Sequence, residues 1–194
     1  MEAEFAGRAI IREFDDILEI KIPSKKSIFA IIFLCVWLIG WFLGETFALS
    51  TIFFNSDIDS FDKIFVSVWV IAWTFGGLFA FGILNWFLFG YELIIVENGN
   101  LKISKKIWFI NLKKEYEIRE IKDISVVRNF SSPAAYYNIH TITSQFGRIK
   151  FDYGMKTIKF AINIDEAEAK MILEKLKRNH NFREFNFNIM GENK

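Results

Sequence analysis

One cysteine, two prolines and two histidines are all that this chain of 194 residues holds of those types. Cys35 stands alone, so no disulfide can close within the chain. A free thiol inside an apolar run acts as a small filler. His140 and His180 have no cysteine beside them and no paired acid at ligand spacing, which argues against a metal site. The glycine patterns that cradle phosphates, the P-loop and G-x-G-x-x-G, are missing. No G-x-S-x-G elbow accompanies the histidines, so no Ser-His-Asp arrangement can be argued. The expectation is a protein that is no enzyme, with no catalytic residues, no metal and no cofactor. Only a cleft that gathers Tyr153, His140 and Asp152 would reopen an enzymatic reading.

Charge is scarce between residues 27 and 90, where one lysine stands against four acids. Two apolar runs fill that region, 27–49 and 64–89. Each is long enough to cross a bilayer as a helix, at about 1.5 Å per residue. The short acidic linker between them makes a transmembrane hairpin the natural reading. No cleavable signal is expected, because the first run starts late, is long and lacks a small-residue cleavage pattern. Lys21, Lys25 and Lys26 precede the hairpin, and Lys102, Lys105 and Lys106 follow it. The excess of lysine outside the spans places both termini in the cytoplasm. Glu45 reads as lying about one turn from the loop end of its helix, within reach of the interface. Gly40 and Gly44 in the first span, and Ala72, Gly76 and Ala80 in the second, have the small-xxx-small spacing that lets helices approach closely. Either these faces pack on each other within the hairpin, or one of them packs on a partner membrane protein.

Outside the spans the period is two. Ile10–Ile22 alternates around Asp15-Asp16 and predicts a short β-hairpin. Tyr91–Glu97 and Leu101–Lys105 flank Asn98-Gly99-Asn100, a tight turn. Strands are expected over Ile107–Ile118 (with a break near Asn111), Ile121–Arg128, Tyr136–Ser144, Arg148–Tyr153 and Lys156–Ile164, with a long loop over Asn129–Ala135. Ile158, Phe160, Ile162 and Ile164 read as one unbroken apolar face. The period then changes to that of a helix. Asp165 and Glu168 have capping-box spacing, and Ala169, Ile172, Leu173 and Leu176 share one face. Four segments follow: 1–26, an N-terminal cytoplasmic piece with its hairpin; 27–90, the transmembrane hairpin; 91–179, a β-rich domain; and 180–194, a tail. The fold class is an α+β membrane protein.

Seven strands and a closing amphipathic helix resemble a pleckstrin-homology-like (PH-like) barrel or sandwich capped by a C-terminal helix. The chain is similar to bacterial PH-domain membrane proteins, in which a two-span hairpin precedes such a domain. The likeness rests on Ile94–Lys105 (IIVENGNLKISK), Ile121–Val127 (IKDISVV), Gly147–Phe151 (GRIKF) and Ile158–Leu176 (IKFAINIDEAEAKMILEKL). It covers roughly 91–178 and leaves the Ile10–Ile22 hairpin outside the pattern, free to pack onto the domain. The resemblance implies a bacterial inner membrane. It does not carry phosphoinositide binding with it, because Asn98-Gly99-Asn100 is neutral and too tight to cradle a headgroup.

Lys102, Lys105, Lys106, Lys113 and Lys114 form the densest basic run, interleaved with Ile107, Trp108 and Phe109. Two readings stand side by side: a contact for anionic lipid or a partner, and a solvated hairpin whose charges block edge pairing. A basic patch of this size, with net +5 over residues 91–194, is weak for nucleic acid, and tethering to a membrane argues further against that role. The expected partners are membrane lipids and either a membrane protein or further copies of the chain. The expected role is a membrane-anchored, PH-like adaptor or accessory subunit that holds a membrane complex at the cytoplasmic face. The alternative is a peripheral sensor of anionic headgroups through the Lys102–Lys114 face.

Overall fold

A computed structural model describes residues 3–54, 59–108, 110–127 and 147–187. The chain divides into two compact units, one of Met1–Ser24 with Gly90–Lys194 and one of Lys25–Phe89.

The second unit is two helices, α1 (Ile28–Phe54) and α2 (Ser60–Phe89). Both are long and apolar enough to cross a membrane. Both run further toward their connection than the apolar runs alone suggest. Their outward faces carry phenylalanine, isoleucine and leucine exposed from the unit. The seam between them follows a seven-residue spacing. Leu38, Trp41, Glu45 and Ala48 of α1 are half-buried or buried, as are Val70, Gly77 and Leu84 of α2. That period keeps one stripe of each helix turned to its neighbour.

The first unit holds nine described strands. β1 (Ala3–Ala6), β2 (Ala9–Phe14), β3 (Ile17–Pro23), β4 (Tyr91–Glu97), β5 (Asn100–Ile107) and β6 (Ile110–Glu117) form one antiparallel sheet in chain order. β7 (Ile121–Val126), β8 (Ile149–Tyr153) and β9 (Lys156–Phe160) form a second antiparallel sheet. The β2–β3 hairpin turns at Asp15-Asp16, as its alternation predicts. It is no appendage: β3 pairs with β4 from Leu18↔Val96 to Pro23↔Tyr91. The helical hairpin is therefore inserted between two paired strands. The chain leaves at Ser24 and returns at Gly90, and Ser24 N donates to Gly90 O at 2.9 Å.

One core serves both sheets. Leu18, Ile20, Ile22, Ile94, Val96 and Leu101 from the first meet Ile121, Ile149, Phe151 and Phe160 from the second. Tyr116 stands edge-on to Phe151, with ring centroids 5.2 Å apart. Helix α3 (Glu166–Arg178) buries Ala169, Ile172 and Leu176 in the same core. Its capping box is formed: Glu168 N donates to Asp165 Oδ1 at 2.7 Å, and Asp165 N to Glu168 Oε2 at 3.2 Å. Glu168 also accepts from the Arg8 N–H, which ties the β1–β2 turn to the helix.

Several expectations are corrected. Among the described residues the two sheets share no strand pairing, so they do not make a closed seven-stranded barrel. The strand expected over Tyr136–Ser144 and the loop over Asn129–Ala135 lie outside the described residues. The break in the Ile107–Ile118 run falls at Trp108 rather than near Asn111, with Trp108 at φ 48°. The Ile158–Ile164 face is interrupted after Phe160, because Ala161 and Asn163 take φ 62° and 64° and end the strand. The tail joins the domain as far as Phe187. Phe182 and Phe187 are buried in its core, and Asn186 Nδ2 donates to the carbonyls of Ile118 (2.8 Å) and Ile121 (2.7 Å).

Candidate functional site

The hairpin seam rests on close contact at Gly77. A Cβ there would collide with the Trp41 ring, and Trp41 Nε1 donates to the Trp73 carbonyl at 3.0 Å. Trp73 stacks on Trp69 at 4.8 Å and tilts against Trp37 at 6.3 Å. One turn along, the Thr74 hydroxyl lies 2.5 Å from Glu45 Oε1 and 2.8 Å from the Val70 carbonyl. Glu45 is only 8% exposed, and its second carboxyl oxygen is buried without a hydrogen-bond partner. From the apolar run alone, Glu45 is expected about one turn from its helix end, reaching for the interface. Because α1 continues to Phe54, the residue sits nine positions inside, about 13 Å from that end, and turns to Thr74 instead.

Most of the small-residue positions stand off the seam. Gly40, Gly44 and Gly76 have open space where a side chain would stand: nothing lies within 4 Å of a Cβ placed there. Ala72 is exposed, and only Ala80 of the five is buried. At Gly40, Gly44 and Gly76 the stripes therefore make no close helix contact within the hairpin, and Ala80 alone of them lies buried. Gly77, one residue on from the stripe, carries the contact.

The basic run is split by the pleat. Antiparallel register sets Lys102 opposite Glu115, Ser104 opposite Lys113 and Lys106 opposite Asn111, so Lys102, Lys106 and Lys113 share one face. Lys105 and Lys114 share the other. Much of this charge is met within the protein. Lys102 Nζ lies 2.8 Å from Glu97 and 4.0 Å from Glu115, and Lys113 lies 3.5 Å from Glu115. Its bond to Glu97 holds the Lys102 ammonium above the ordinary lysine range. β6 is the edge of its sheet among the described residues, so Lys113 and Lys114 stand where charge discourages pairing with another chain. Trp108 is 72% exposed at the β5–β6 turn. Phe109 lies outside the described residues.

Lys105 is buried on the core face, directly across from Glu92. Glu92 is 1% exposed, and its Oε2 accepts from the Ile162 N–H at 2.8 Å. Burial pushes the Glu92 carboxyl above the usual carboxylate range, while the Ile162 and Ala161 backbone and the Lys105 charge work against it. Burial likewise pushes the Lys105 ammonium down, opposed by Glu92. The pair fastens the start of β4 to the turn that leads into α3. Sequence reasoning missed it, because Glu92 looks like the polar margin of an apolar strand. The available signal was its alternation with Ile94 and Val96, which puts it on their face.

Among the described residues, the remaining candidates make ordinary packing and hydrogen-bond contacts. Tyr153 packs edge-on to Tyr116 at 5.2 Å, and its bond to Glu120 raises its phenol above the normal range. Asp152 accepts from the Thr157 hydroxyl at 2.6 Å. His140, the third member of that expected trio, lies outside the described residues. His180 stands 3.9 Å from Asp16 at the surface. Among the described residues no three His, Cys, Asp or Glu side chains gather to hold a metal ion. In comparison with known proteins, the chain matches no family model and no curated protein.

Proposed function

We propose that the protein is a membrane-anchored adaptor. In this reading α1 and α2 cross the bilayer, and the α+β unit, a PH-like domain, stands at its cytoplasmic face. The lysines that flank the hairpin favour that orientation, and the resemblance to bacterial PH-domain proteins favours the inner membrane. The partner is a membrane protein or another copy of the chain.

One observation carries the reading. The hairpin makes its own contact through Trp41 and Gly77, and leaves Gly40, Gly44 and Gly76 uncovered. In lipid, small residues earn their place by close helix approach, and within this hairpin they serve none. An adaptor that receives a partner helix uses such a face. The rival reading, a lipid sensor built on the whole Lys102–Lys114 face, is weakened by the glutamates that already meet Lys102 and Lys113.

Purification in mild detergent tests the proposal. The wild type is expected to carry a membrane-protein partner or to form a defined oligomer. Gly40→Leu with Gly44→Leu, or Gly76→Leu, should lose that association while the hairpin stays folded. A strictly monomeric, partner-free wild type contradicts it.

A further inference from the structure

The β5–β6 turn ends one corner of the six-stranded sheet, and register fixes which corner. Lys106 pairs with Tyr91, the first residue of β4, and Ile107 and Trp108 run on past it. Only Gly90 separates Tyr91 from Phe89, the last residue of α2. An extended chain spans at most about 3.5 Å per residue, so Tyr91 lies within about 7 Å of the helix end. The turn thus belongs to the sheet end from which the chain departs for its apolar helices.

That turn is apolar where a solvated turn would be polar. Trp108 is 72% exposed, Ile110 48% and Leu112 52%. By register Ile110 pairs with Ile107 and Leu112 with Lys105, so both project on one face of the strand pair. Lys106 and Lys113 lie on the reverse face. The same sheet end holds the Tyr91 ring between two ammonium groups, Lys21 at 4.4 Å and Lys106 at 5.9 Å from its centroid. An exposed tryptophan beside aliphatic residues, backed by lysines, matches the chemistry of a headgroup layer: apolar matter below, anionic charge above.

We propose that the β5–β6 turn is a second membrane contact. Trp108, Ile110 and Leu112 enter the interface of an anionic leaflet, and Lys106 and Lys114 lie among its headgroups. The contact rests on the reading of α1 and α2 as membrane spans, and goes beyond it: it gives the domain a third point of attachment, with lipid as partner. It also explains why this edge hairpin keeps an apolar tip that water alone would not favour.

The single cysteine makes the test clean. Full-length protein is reconstituted in phosphatidylcholine vesicles with and without phosphatidylglycerol. An environment-sensitive fluorophore is placed on Ile110→Cys in a Cys35→Ser background, and separately on Met155→Cys, at the exposed β8–β9 turn. A third sample carries it on native Cys35. Lipids spin-labelled near the headgroup serve as quenchers for the first two, and chain-labelled lipids for the third. The Ile110 probe should be quenched several-fold more than the Met155 probe, and more strongly with phosphatidylglycerol. Each Lys→Gln change at Lys106 or Lys114 should lower the inserted-to-free ratio roughly fivefold. An Ile110 probe no better quenched than Met155, beside a quenched Cys35 probe, overturns this proposal alone. An unquenched Cys35 probe overturns the membrane hairpin, and this proposal with it.

Discussion

A carboxylate and an ammonium at the end of an apolar sheet face stabilise each other only as a pair. Glu92 and Lys105 are such a pair, and removing one partner leaves the other uncompensated. Lys105→Met should cost about 3 kcal/mol at neutral pH, measured by unfolding of the full-length protein in detergent. The pH dependence has a defined sign. A carboxyl raised above its unfolded value of 4.5 contributes stability that is complete below that value and is lost as pH climbs through the folded one. Lys105 opposes the rise, so its removal should steepen the loss of stability from pH 4.5 upward. A Lys105→Met protein with the wild-type slope contradicts this assignment. Single residues were unevenly legible. Asp165 and Glu168 declare a helix start because both partners of the box are local in sequence. Glu92 and Ile162 are 70 positions apart, and no local pattern joins them.

Elements were legible where a side-chain period or a turn chemistry is distinctive. Asn98-Gly99 takes φ 50° and 74°, as an Asn-Gly hairpin turn requires, and β4 begins and ends where its apolar run does. Trp108, Ala161 and Asn163 also take positive φ without a glycine to announce it, and there the strand boundaries were misread. In the helices the small-residue spacing is distinctive, but spacing alone does not set which glycine meets the neighbouring helix. Gly76 and Gly77 are adjacent, but about 100° apart around α2. One faces open space and the other lies against Trp41. The two positions should therefore respond differently. Gly77→Leu overpacks the seam and should destabilise the hairpin by about 1–3 kcal/mol, and Gly76→Leu should stay within about 0.5 kcal/mol, both read from denaturant titration in micelles. Equal effects would show that the seam does not run through Gly77.

At the scale of the molecule, chain order conceals the domain. The Ile10–Ile22 hairpin looks like a prelude to the spans, yet it supplies strands to the sheet that resumes at Tyr91. The β3–β4 pairing joins residues on either side of the helical insertion, and periodicity within a segment carries no information about partners beyond it. The consequence is a domain tethered by two adjacent strands, at Ser24 and Gly90, rather than by one linker. In the proposed adaptor, such a tether would keep the domain near the bilayer. That proposal rests throughout on α1 and α2 crossing the membrane. Single cysteines at Asp59 and Met155, in a Cys35→Ser background, probe this most directly with a membrane-impermeant maleimide applied to intact cells and to lysed ones. Asp59→Cys should label in intact cells and Met155→Cys only after lysis. Labelling of both from the same side would contradict the hairpin, and the adaptor with it.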